Sequence, residues 1–381
     1  MKALVLGKGK SGAAAAALLK AQGCEVDFAD GYDCVVTSPG LRTKSELQLG
    51  CEELKRRGWK LLAVTGSKGK SSVVKIVAEA INLAGGNAVA CGNYGIPVSE
   101  VANSNTQTLK HSNNSPWAVV EVSSFQLETT TLPPDTFEAA AILNLQEDHL
   151  DRHGSVEVYH GLKRKLLTMA KQGLGSMKRS GDRFPILWAG SYFDNEILAA
   201  NAAMAVELMR VAGLDDATIA AAFKTFAPLP HRMNLVAEID GVRYIDDSKA
   251  TSLAALIAGV KMAAAKPQNL KTSKPQTILL IAGGLPKGDD PKTALSVLTE
   301  RVKKVYLIGQ SAEAFFAAWK GAVDCEICGT MDRAVETARR EAEKGETVLL
   351  SPGTASFDQF NSYGERGDVF ARLVKEKGQP K

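Results

Sequence analysis

Short apolar runs alternate with amphipathic runs along most of the 381-residue chain. Apolar runs that end in small or polar residues predict buried strands, and runs with apolar positions three and four residues apart predict helices. The predicted strands are residues 3–7, 34–40, 61–66, 117–124, 139–145, 277–284, 304–309 and 347–353. The predicted helices are residues 11–23, 71–86, 195–213 and 332–345. This alternation predicts an α/β fold with mainly parallel sheets.

Polar and proline-containing stretches divide this pattern. The segment "FAPLPHR" (226–232) has two prolines between a helix and a new strand pattern, which indicates a domain boundary. Residues 102–115, 171–183 and 266–276 are rich in polar residues and predict surface loops. The length is typical of two or three domains, and we expect three, at residues 1–58, 59–226 and 227–381.

The composition narrows the class of protein. With 45% hydrophobic and 23% charged residues, the composition is that of an ordinary globular protein. A net charge of +4 is too small for a chain of this length to indicate nucleic-acid binding. Six cysteines are too few for a disulfide scaffold, and Cys325 and Cys328 lack the second pair that a zinc site needs. No apolar run is long enough for a membrane span or a signal peptide, so we expect a cytoplasmic protein.

The stretch "LLAVTGSKGKSSVVKIV" (61–77) predicts a strand, a glycine-bearing turn and a helix. Backbone N–H groups in such a turn bind phosphate, Lys70 suits the β- and γ-phosphates, and the hydroxyl of Ser71 suits Mg²⁺. The usual phosphate-loop spacing requires glycine at position 64, where the chain has Val64, and Gly66 stands two residues later. The alternative is a simple strand–turn–helix with a surface lysine.

Two further strand ends carry candidate metal ligands. Glu121 ends the strand "WAVVE", where a carboxylate near a phosphate loop is a suitable second ligand for Mg²⁺, although it could equally face solvent. The segment "LNLQEDHLDRH" (143–153) is unusually dense in polar residues directly after a strand. His149 in that segment could be a metal ligand, a base or a structural hydrogen-bonding group, and the residues alone do not choose.

Strand exits in the third part of the chain favour anion recognition. "PLPHRM" (228–233) and "YIDDSKATS" (244–252) bring Lys and Arg beside short polar residues, and "SPGTASFDQFNSYGERG" (351–367) is another polar exit. Several such loops together predict a site for more than one substrate.

The N-terminal "GKGKSG" (7–12) has the G-x-G-x-x-G spacing of a dinucleotide-binding turn, with Asp30 after it. This motif supports an alternative hypothesis, an NAD(P)-binding oxidoreductase. The next strand begins near Cys34, however, which leaves no room for a crossover helix. A full dinucleotide-binding half is therefore not expected.

The blocks "VTGSKGKSS", "GNYGIP", "EVSSFQLE", "LNLQEDHLDRH", "LPHRM", "DDSKATS" and "LLSPGTASFDQFNSYGERG" occur in this order over residues 61–373. Together they resemble the Mur ligases, most closely the branch that adds D-glutamate. The shortened phosphate loop has the form found in that family. The resemblance implies a Rossmann-like N-terminal domain that binds UDP, a central P-loop-type ATPase domain and a Rossmann-like C-terminal domain that binds the amino acid.

The resemblance also implies a reaction. ATP phosphorylates the carboxylate of UDP-N-acetylmuramoyl-L-alanine, the amine of D-glutamate attacks the acyl phosphate, and an amide and phosphate result. The expected cofactors are ATP and two Mg²⁺ ions. The expected partners are the small-molecule substrates UDP-N-acetylmuramoyl-L-alanine, D-glutamate and ATP, with no nucleic acid and no membrane. We expect the protein to be a monomer. Sister Mur ligases and folylpolyglutamate-type ligases are the alternatives within the superfamily.

The site residues implied by the resemblance fall into five groups. The residues implied in catalysis are Lys70, His149 and Lys163. The implied metal ligands are Ser71, Glu121, His149 and Lys163 as a carbamate. The implied ATP contacts are Gly66, Ser67, Lys68, Gly69, Lys70, Ser71, Ser72, Asn201, His231, Arg232, Asp247 and Lys249. The implied UDP-sugar contacts are Lys10, Ser11, Asp30, Ser38, Gly40, Asn93, Ser123, Ser124 and Gln126. The implied D-glutamate contacts are Thr251, Lys287, Ser356 and Phe357.

Overall fold

A computed structural model describes nine stretches of the chain. They are residues 2–30, 34–37, 42–104, 115–146, 149–175, 185–189, 191–194, 198–264 and 278–376. Most of the predicted loops at 102–115 and 171–183, and the whole of 266–276, lie outside them. The predicted site residues Ser38 and Gly40 lie outside them as well.

The chain divides into two compact units, Met1–Phe226 and Ala227–Lys381. Among the described residues, the first unit holds two sheets and the second holds one. A single apolar core joins both sheets of the first unit, from Ala3 and Leu54 to Trp59 and Met169. The predicted boundary between a first domain, residues 1–58, and a second domain, residues 59–226, therefore stays a prediction.

The first sheet has the strand order β2-β1-β3-β4. Its elements are β1 (Lys2–Leu6), α1 (Lys10–Ala21), β2 (Glu25–Ala29), β3 (Cys34–Thr37), β4 (Arg42–Ser45) and α2 (Glu46–Arg56). Strands β1 and β2 are parallel, as a βαβ unit requires, but β3 and β4 pair antiparallel. Because only four residues separate β2 from β3, no crossover helix fits, so the Rossmann-like resemblance of this part ends at β2.

The second sheet is parallel throughout, with the order β6-β7-β5-β8-β9. Its strands are β5 (Lys60–Thr65), β6 (Ala88–Gly92), β7 (Trp117–Glu121), β8 (Phe137–Ile142) and β9 (Ala170–Leu174). Its helices are α3 (Lys70–Leu83), α4 (Val98–Asn103), α5 (Ser124–Thr129), α6 (Leu150–His153), α7 (Val156–Lys165), α8 (Ala199–Val211) and α9 (Asp216–Thr225), with 3-10 turns at Leu166–Met169 and Pro185–Leu187. Strand β5 is central, so the carboxyl ends of β7 and β8 flank its own.

The second unit has the strand order β10-β11-β15-β12-β13-β14. Its strands are β10 (Asn234–Ile239), β11 (Val242–Asp246), β12 (Ile278–Gly283), β13 (Val302–Ile308), β14 (Asp324–Gly329) and β15 (Thr347–Leu350). Its helices are α10 (Leu253–Ala264), α11 (Leu295–Arg301), α12 (Ala312–Trp319), α13 (Met331–Glu341) and α14 (Tyr363–Glu376), with a 3-10 turn at Pro291–Ala294. Among the described strands of this sheet, β10 and β11 pair antiparallel and the remaining neighbours pair parallel.

Side chains of β12 alternate between two apolar cores. Leu280 faces one core and Leu279 and Ile281 face the other, so both faces of this sheet are covered. This explains why the strand appears in the sequence as a continuous apolar run. The predicted α/β class with mainly parallel sheets is confirmed.

Several elements were absent from the sequence-based prediction. The segment 171–183 was expected to be a loop, but β9 occupies Ala170–Leu174. Strands β2, β4 and β14 are short and partly polar, which removes the apolar signal on which the prediction depended, and β6 is apolar but only five residues long. Among the described residues, no helix combines the length and apolarity that crossing a membrane requires.

Candidate functional site

The predicted phosphate loop is a four-residue turn between β5 and α3. Gly66 and Gly69 have φ angles of 150° and 87°, which glycine adopts without the steric penalty of a side chain. The turn leads directly into the N-terminus of a 14-residue helix, whose free N–H groups and dipole attract anions. Lys70 folds back over the turn, and its Nζ donates to the carbonyls of Gly66 and Ser67 at 2.8 and 3.3 Å.

Asn144, at the exit of β8, holds this loop in place. Its side-chain amide pairs with both backbone groups of Lys68, at 2.8 Å each, and its own carbonyl accepts from Ser67 N–H at 3.0 Å. Sequence reasoning did not single out this residue. Its place in the polar segment 143–153, two residues after β8 ends at Ile142, is a signal that could have indicated it.

Glu121 ends β7 beside the loop, and its side chain is buried. Asn93 Nδ2 donates to Oε1 of Glu121 at 2.9 Å, whereas Oε2 is buried with no hydrogen-bond partner. A buried carboxylate oxygen without a partner is unfavourable unless a cation or donor completes it. Asn93 was expected to contact the UDP-sugar, and here it orients the predicted metal ligand.

Lys163 and His149 lie around Tyr159. Lys163 is 1% exposed. Its Nζ donates to the Gly66 carbonyl at 3.0 Å and lies 4.4 Å from the centre of the Tyr159 ring. The Tyr159 hydroxyl donates to Ser67 Oγ at 3.2 Å. His149 is exposed and has a left-handed backbone, with a φ of 53°, and its ring lies 6.3 Å from that of Tyr159. Lys165, by contrast, points away and donates to the Leu127 carbonyl.

Ser123 begins α5 with a capping box. Its hydroxyl accepts from Gln126 N–H, while Gln126 Oε1 accepts from Ser123 N–H at 3.0 Å. Ser124, the next predicted UDP-sugar contact, is buried, and its hydroxyl lies 3.0 Å from His153 Nε2. Nδ1 of that histidine lies 3.2 Å from Glu128, whose pKa is lowered mainly by the hydrogen bonds from Arg152.

The N-terminal candidates lie at the carboxyl edge of the first sheet. Lys10 and Ser11 are in the first turn of α1, directly after β1, and Asp30 follows the parallel strand β2. Asp30 forms an exposed ion pair with Lys8 at 2.8 Å. A Cβ added at Gly12 would lie 2.1 Å from the Gly7 carbonyl, which explains why this turn needs glycine at position 12. Gly7 has a φ of 99°, which explains glycine there.

In the second unit, His231 is fixed by the strand exit that follows β11. Its Nδ1 lies 2.7 Å from Asp246 Oδ2, and its carbonyl accepts from Lys249 N–H at 2.9 Å. Asp247 is buried and accepts from Ser351 Oγ at 2.9 Å. Burial raises the pKa of Asp247 to about 7, although this hydrogen bond and the charge of Arg232 oppose the change.

Arg366, in α14, ties two strand exits together and was also missed. Its guanidinium is fully buried and donates to Ser248 Oγ and Ser248 O at 3.0 and 2.9 Å, and to the carbonyls of Thr354 and Ala355 at 3.2 Å each. Burial lowers its pKa to about 10, so it still carries its charge at neutral pH. Sequence reasoning could not single out this residue, because arginine on a helix is usually exposed.

The predicted D-glutamate residues differ in exposure. Ser356 is buried, Thr251 is half-buried, Lys287 is exposed and Phe357 is 70% exposed. Ser356 and Phe357 follow the Thr354 and Ala355 carbonyls that Arg366 holds. Thr251 follows Lys249, whose Nζ lies 3.7 Å from the centre of the Tyr363 ring.

Comparison with known proteins identifies the family. Residues 64–179 match the Mur ligase middle domain, and residues 231–353 match the family described as Mur ligase, glutamate ligase domain. The UDP-N-acetylmuramoylalanine--D-glutamate ligase of Nitratidesulfovibrio vulgaris is 32% identical over 98% of this chain and 96% of its own length. The chain belongs to the Mur ligase family. The corresponding enzyme of Elusimicrobium minutum is 30% identical over 98% of this Mur ligase and 97% of its own length.

Solved structures of Mur ligases share the fold. The MurF ligase of Thermotoga maritima, solved in complex with ADP, superposes with a TM-score of 0.60 at 16% identity, over 93% of this chain and 88% of its own. The UDP-N-acetylmuramate-alanine ligase MurC of the same organism superposes with a TM-score of 0.59 at 13% identity, over 98% and 99%. The expected resemblance is thus confirmed, and the enzyme is a ligase rather than an oxidoreductase. The roles of the individual site residues stay predictions.

Proposed function

We propose that this Mur ligase joins D-glutamate to UDP-N-acetylmuramoyl-L-alanine at the expense of ATP. The observation that carries the proposal is the match to D-glutamate ligases at about 30% identity over nearly the whole of both chains. The loop between β5 and α3, with Lys70 folded over it, supports a nucleotide-dependent reaction.

In the first step, a carboxylate oxygen of the UDP-sugar attacks the γ-phosphorus of ATP, and the bond to the β-phosphate oxygen breaks. The products are an acyl phosphate and ADP. Lys70 donates to loop carbonyls in the free protein, and with nucleotide bound its Nζ would instead donate to the phosphates. Backbone N–H groups of the turn and the N-terminus of α3 stabilise the same negative charge.

The residues around Glu121 fit a magnesium ion. The unpartnered Oε2 is a hard, anionic oxygen of the kind that Mg²⁺ binds, and Ser71 in the first turn of α3 would supply a hydroxyl. Mg²⁺ bound there would neutralise charge on the phosphates during transfer. Among the described residues no cluster of three or more His, Cys, Asp or Glu side chains is present, so water and phosphate oxygens would complete the shell.

A second Mg²⁺ would be held by His149 and by Lys163 as a carbamate. Both residues surround Tyr159, and the buried Nζ of Lys163 is already directed at the loop. Carbamylation would convert this buried cation into an anionic oxygen ligand. Until it is modified, the lysine ties the loop to α7 through the Gly66 carbonyl.

In the second step, the amine nitrogen of D-glutamate attacks the acyl carbon, loses a proton and forms the amide bond. The bond between the acyl carbon and the bridging oxygen breaks, and phosphate leaves with that oxygen and the electron pair. Thr251, Lys287, Ser356 and Phe357 are the proposed D-glutamate contacts. Arg366 supports this assignment because it holds the loops that carry Thr251 and Ser356 in a fixed relation. The expectations of a monomer and a cytoplasmic location also stay predictions.

Phosphate release from ATP in the presence of UDP-N-acetylmuramoyl-L-alanine and D-glutamate tests the proposal. We expect turnover only when both substrates are present, and only with the D-isomer of glutamate. Turnover with another amino acid would indicate a sister Mur ligase, and turnover with a folate and glutamate would indicate a folylpolyglutamate-type ligase. Nucleotide binding without any turnover would contradict the proposed activity.

A further inference from the structure

One residue outside the predicted site, Asn144, attaches the phosphate loop to the exit of β8. Lys68 N–H donates to its Oδ1 at 2.8 Å, and its Nδ2 donates to the Lys68 carbonyl at 2.8 Å. Ser67 N–H donates to its backbone carbonyl at 3.0 Å. Three hydrogen bonds from a single residue therefore hold the middle of the loop.

The two side-chain bonds act on successive peptide groups. Lys68 N–H belongs to the peptide that follows Ser67, and the Lys68 carbonyl belongs to the peptide that precedes Gly69. In a planar trans peptide the N–H points opposite to the carbonyl, so Gly69 N–H is directed away from Asn144. The amide of Asn144 thereby sets the direction in which the loop presents a backbone donor to an anion.

The loop needs such a restraint because of its glycines. Gly66 and Gly69 allow the required positive φ angles, but glycine also has access to many other conformations. Ordering them only when a ligand arrives would weaken binding, since the lost conformational entropy opposes association. A loop that is already ordered presents its donors without that cost.

Asn201 braces the loop from a second direction. A Cβ added at Gly69 would lie 2.1 Å from Asn201 Nδ2, so the amide of Asn201 packs directly on the loop. Its Oδ1 lies 3.4 Å from Asn144 Nδ2, and the residue is 5% exposed. The side chain of Asn144 is thus shared between the loop and α8.

We propose that Asn144 is a positioning residue for nucleotide binding, which acts by fixing the peptide groups on either side of Lys68. It does so without touching the nucleotide. The proposal rests on the proposed function, because it takes the ligand of the loop to be ATP.

The chain contains a matched control for this role. Asn82, near the opposite end of α3, makes the same pair of hydrogen bonds to the backbone of Ala88, with Ala88 N–H donating at 2.7 Å and Nδ2 donating at 3.0 Å. N82A therefore removes the same two bonds as N144A, but far along the helix from the loop. A general loss of stability would weaken ADP binding in both variants, whereas a loss of loop geometry would weaken it only in N144A.

ADP binding, measured by isothermal titration calorimetry in the presence of Mg²⁺, tests the proposal. We expect N144A to weaken ADP binding by about tenfold and N82A to leave it within about twofold of the wild type. In steady-state assays the KM for ATP should rise in N144A while the KM for D-glutamate stays the same. The thermal midpoints of the two variants should fall by similar amounts.

Equal ADP affinity in N144A and the wild type would overturn the proposal, as would equal losses in N144A and N82A. In N144D the aspartate has the same shape as asparagine, keeps the hydrogen bond from Lys68 N–H and loses the hydrogen bond to the Lys68 carbonyl. This variant tests the proposal if N144A does not fold. It should also bind ADP more weakly, with N82D as its control. Failure of the wild type to bind ADP would overturn the proposed function together with this inference.

Discussion

Asn93 Nδ2 donates to Oε1 of Glu121 across 2.9 Å, and Oε2 of the same carboxylate is left buried without a partner. The amide fixes the plane of the carboxylate, so the unpartnered oxygen has a defined direction. Backbone pairing of Asn93 N–H with the Glu121 carbonyl at 2.9 Å holds the two residues in register. The carboxylate that we propose as a Mg²⁺ ligand is therefore held in one orientation without the cation.

We expect E121Q to lose activity by about a hundredfold or more, because a neutral amide does not replace an anionic Mg²⁺ ligand at the transferred phosphate. The increase in thermal midpoint that Mg²⁺ gives the wild type should be absent in E121Q. Phosphate release and thermal unfolding at increasing Mg²⁺ concentrations measure both effects. E46Q is the control, since Glu46 is another buried carboxylate, bonded instead to Ser99. Full activity in E121Q would contradict the assignment.

K70M should reduce kcat by about a thousandfold, because it removes the charge that we propose to stabilise the phosphates while keeping an unbranched side chain of similar size. K75M changes the same type of residue five positions later in α3, where Lys75 pairs with Glu79 at 2.7 Å. That control should retain nearly normal kcat. Steady-state phosphate release at saturating substrate compares the two variants, and similar kcat values would argue against a role for Lys70.

K163A should abolish activity, whereas K165A should remain active, because only Lys163 is directed at the loop. If Lys163 acts as a carbamate, bicarbonate should stimulate the wild type after it has been depleted of carbon dioxide. K165A should respond to bicarbonate in the same way. Native mass spectrometry at alkaline pH should detect the added carboxylate in the wild type but not in K163A. Activity that does not depend on bicarbonate would count against the carbamate.

Asp247 should make the second unit less stable as the pH rises. Burial raises the pKa of this carboxyl to about 7 in the folded protein, so the folded state holds the proton more tightly than the unfolded chain. The free energy of unfolding should fall by a few kcal/mol between about pH 4 and pH 7, relative to a variant without the group. D247N is that variant, because its amide can still accept from Ser351. The free energy of unfolding, measured by urea unfolding across this pH range, should depend more steeply on pH for the wild type than for D247N. Parallel curves would disprove the raised pKa of Asp247.

R366K should raise the KM for D-glutamate by about tenfold, since one ammonium group cannot donate to all four oxygens that the guanidinium holds. The KM for UDP-N-acetylmuramoyl-L-alanine should change little. R372K lies on the same helix, where Arg372 makes only an exposed ion pair with Glu376, and should behave as the wild type. Initial rates with each substrate varied in turn separate these effects. Equal changes in both KM values would indicate a general structural defect.

Features that depend on residues close together in the chain could be predicted from the sequence alone. The apolar runs predicted most of the buried strands of the three sheets. The block "VTGSKGKSS" predicted the turn between β5 and α3, because a strand, a glycine turn and a helix are specified there within a dozen residues. The ordered blocks also gave the family. Short or partly polar strands such as β9 were missed, because the pairing that stabilises them comes from strands distant in sequence.

Tertiary structure alone decided which side chains meet. Asn144 binds Lys68 across 76 positions, Asn93 binds Glu121 across 28, and Arg366 binds Ser248 across 118. Apolar periodicity tells which face of an element is buried, but not which strands become neighbours. The order β6-β7-β5-β8-β9 places the ends of β7 and β8 on either side of the phosphate loop, and that order results from packing the whole core. For this reason the loop could be predicted, and its attachment to Asn144 could not.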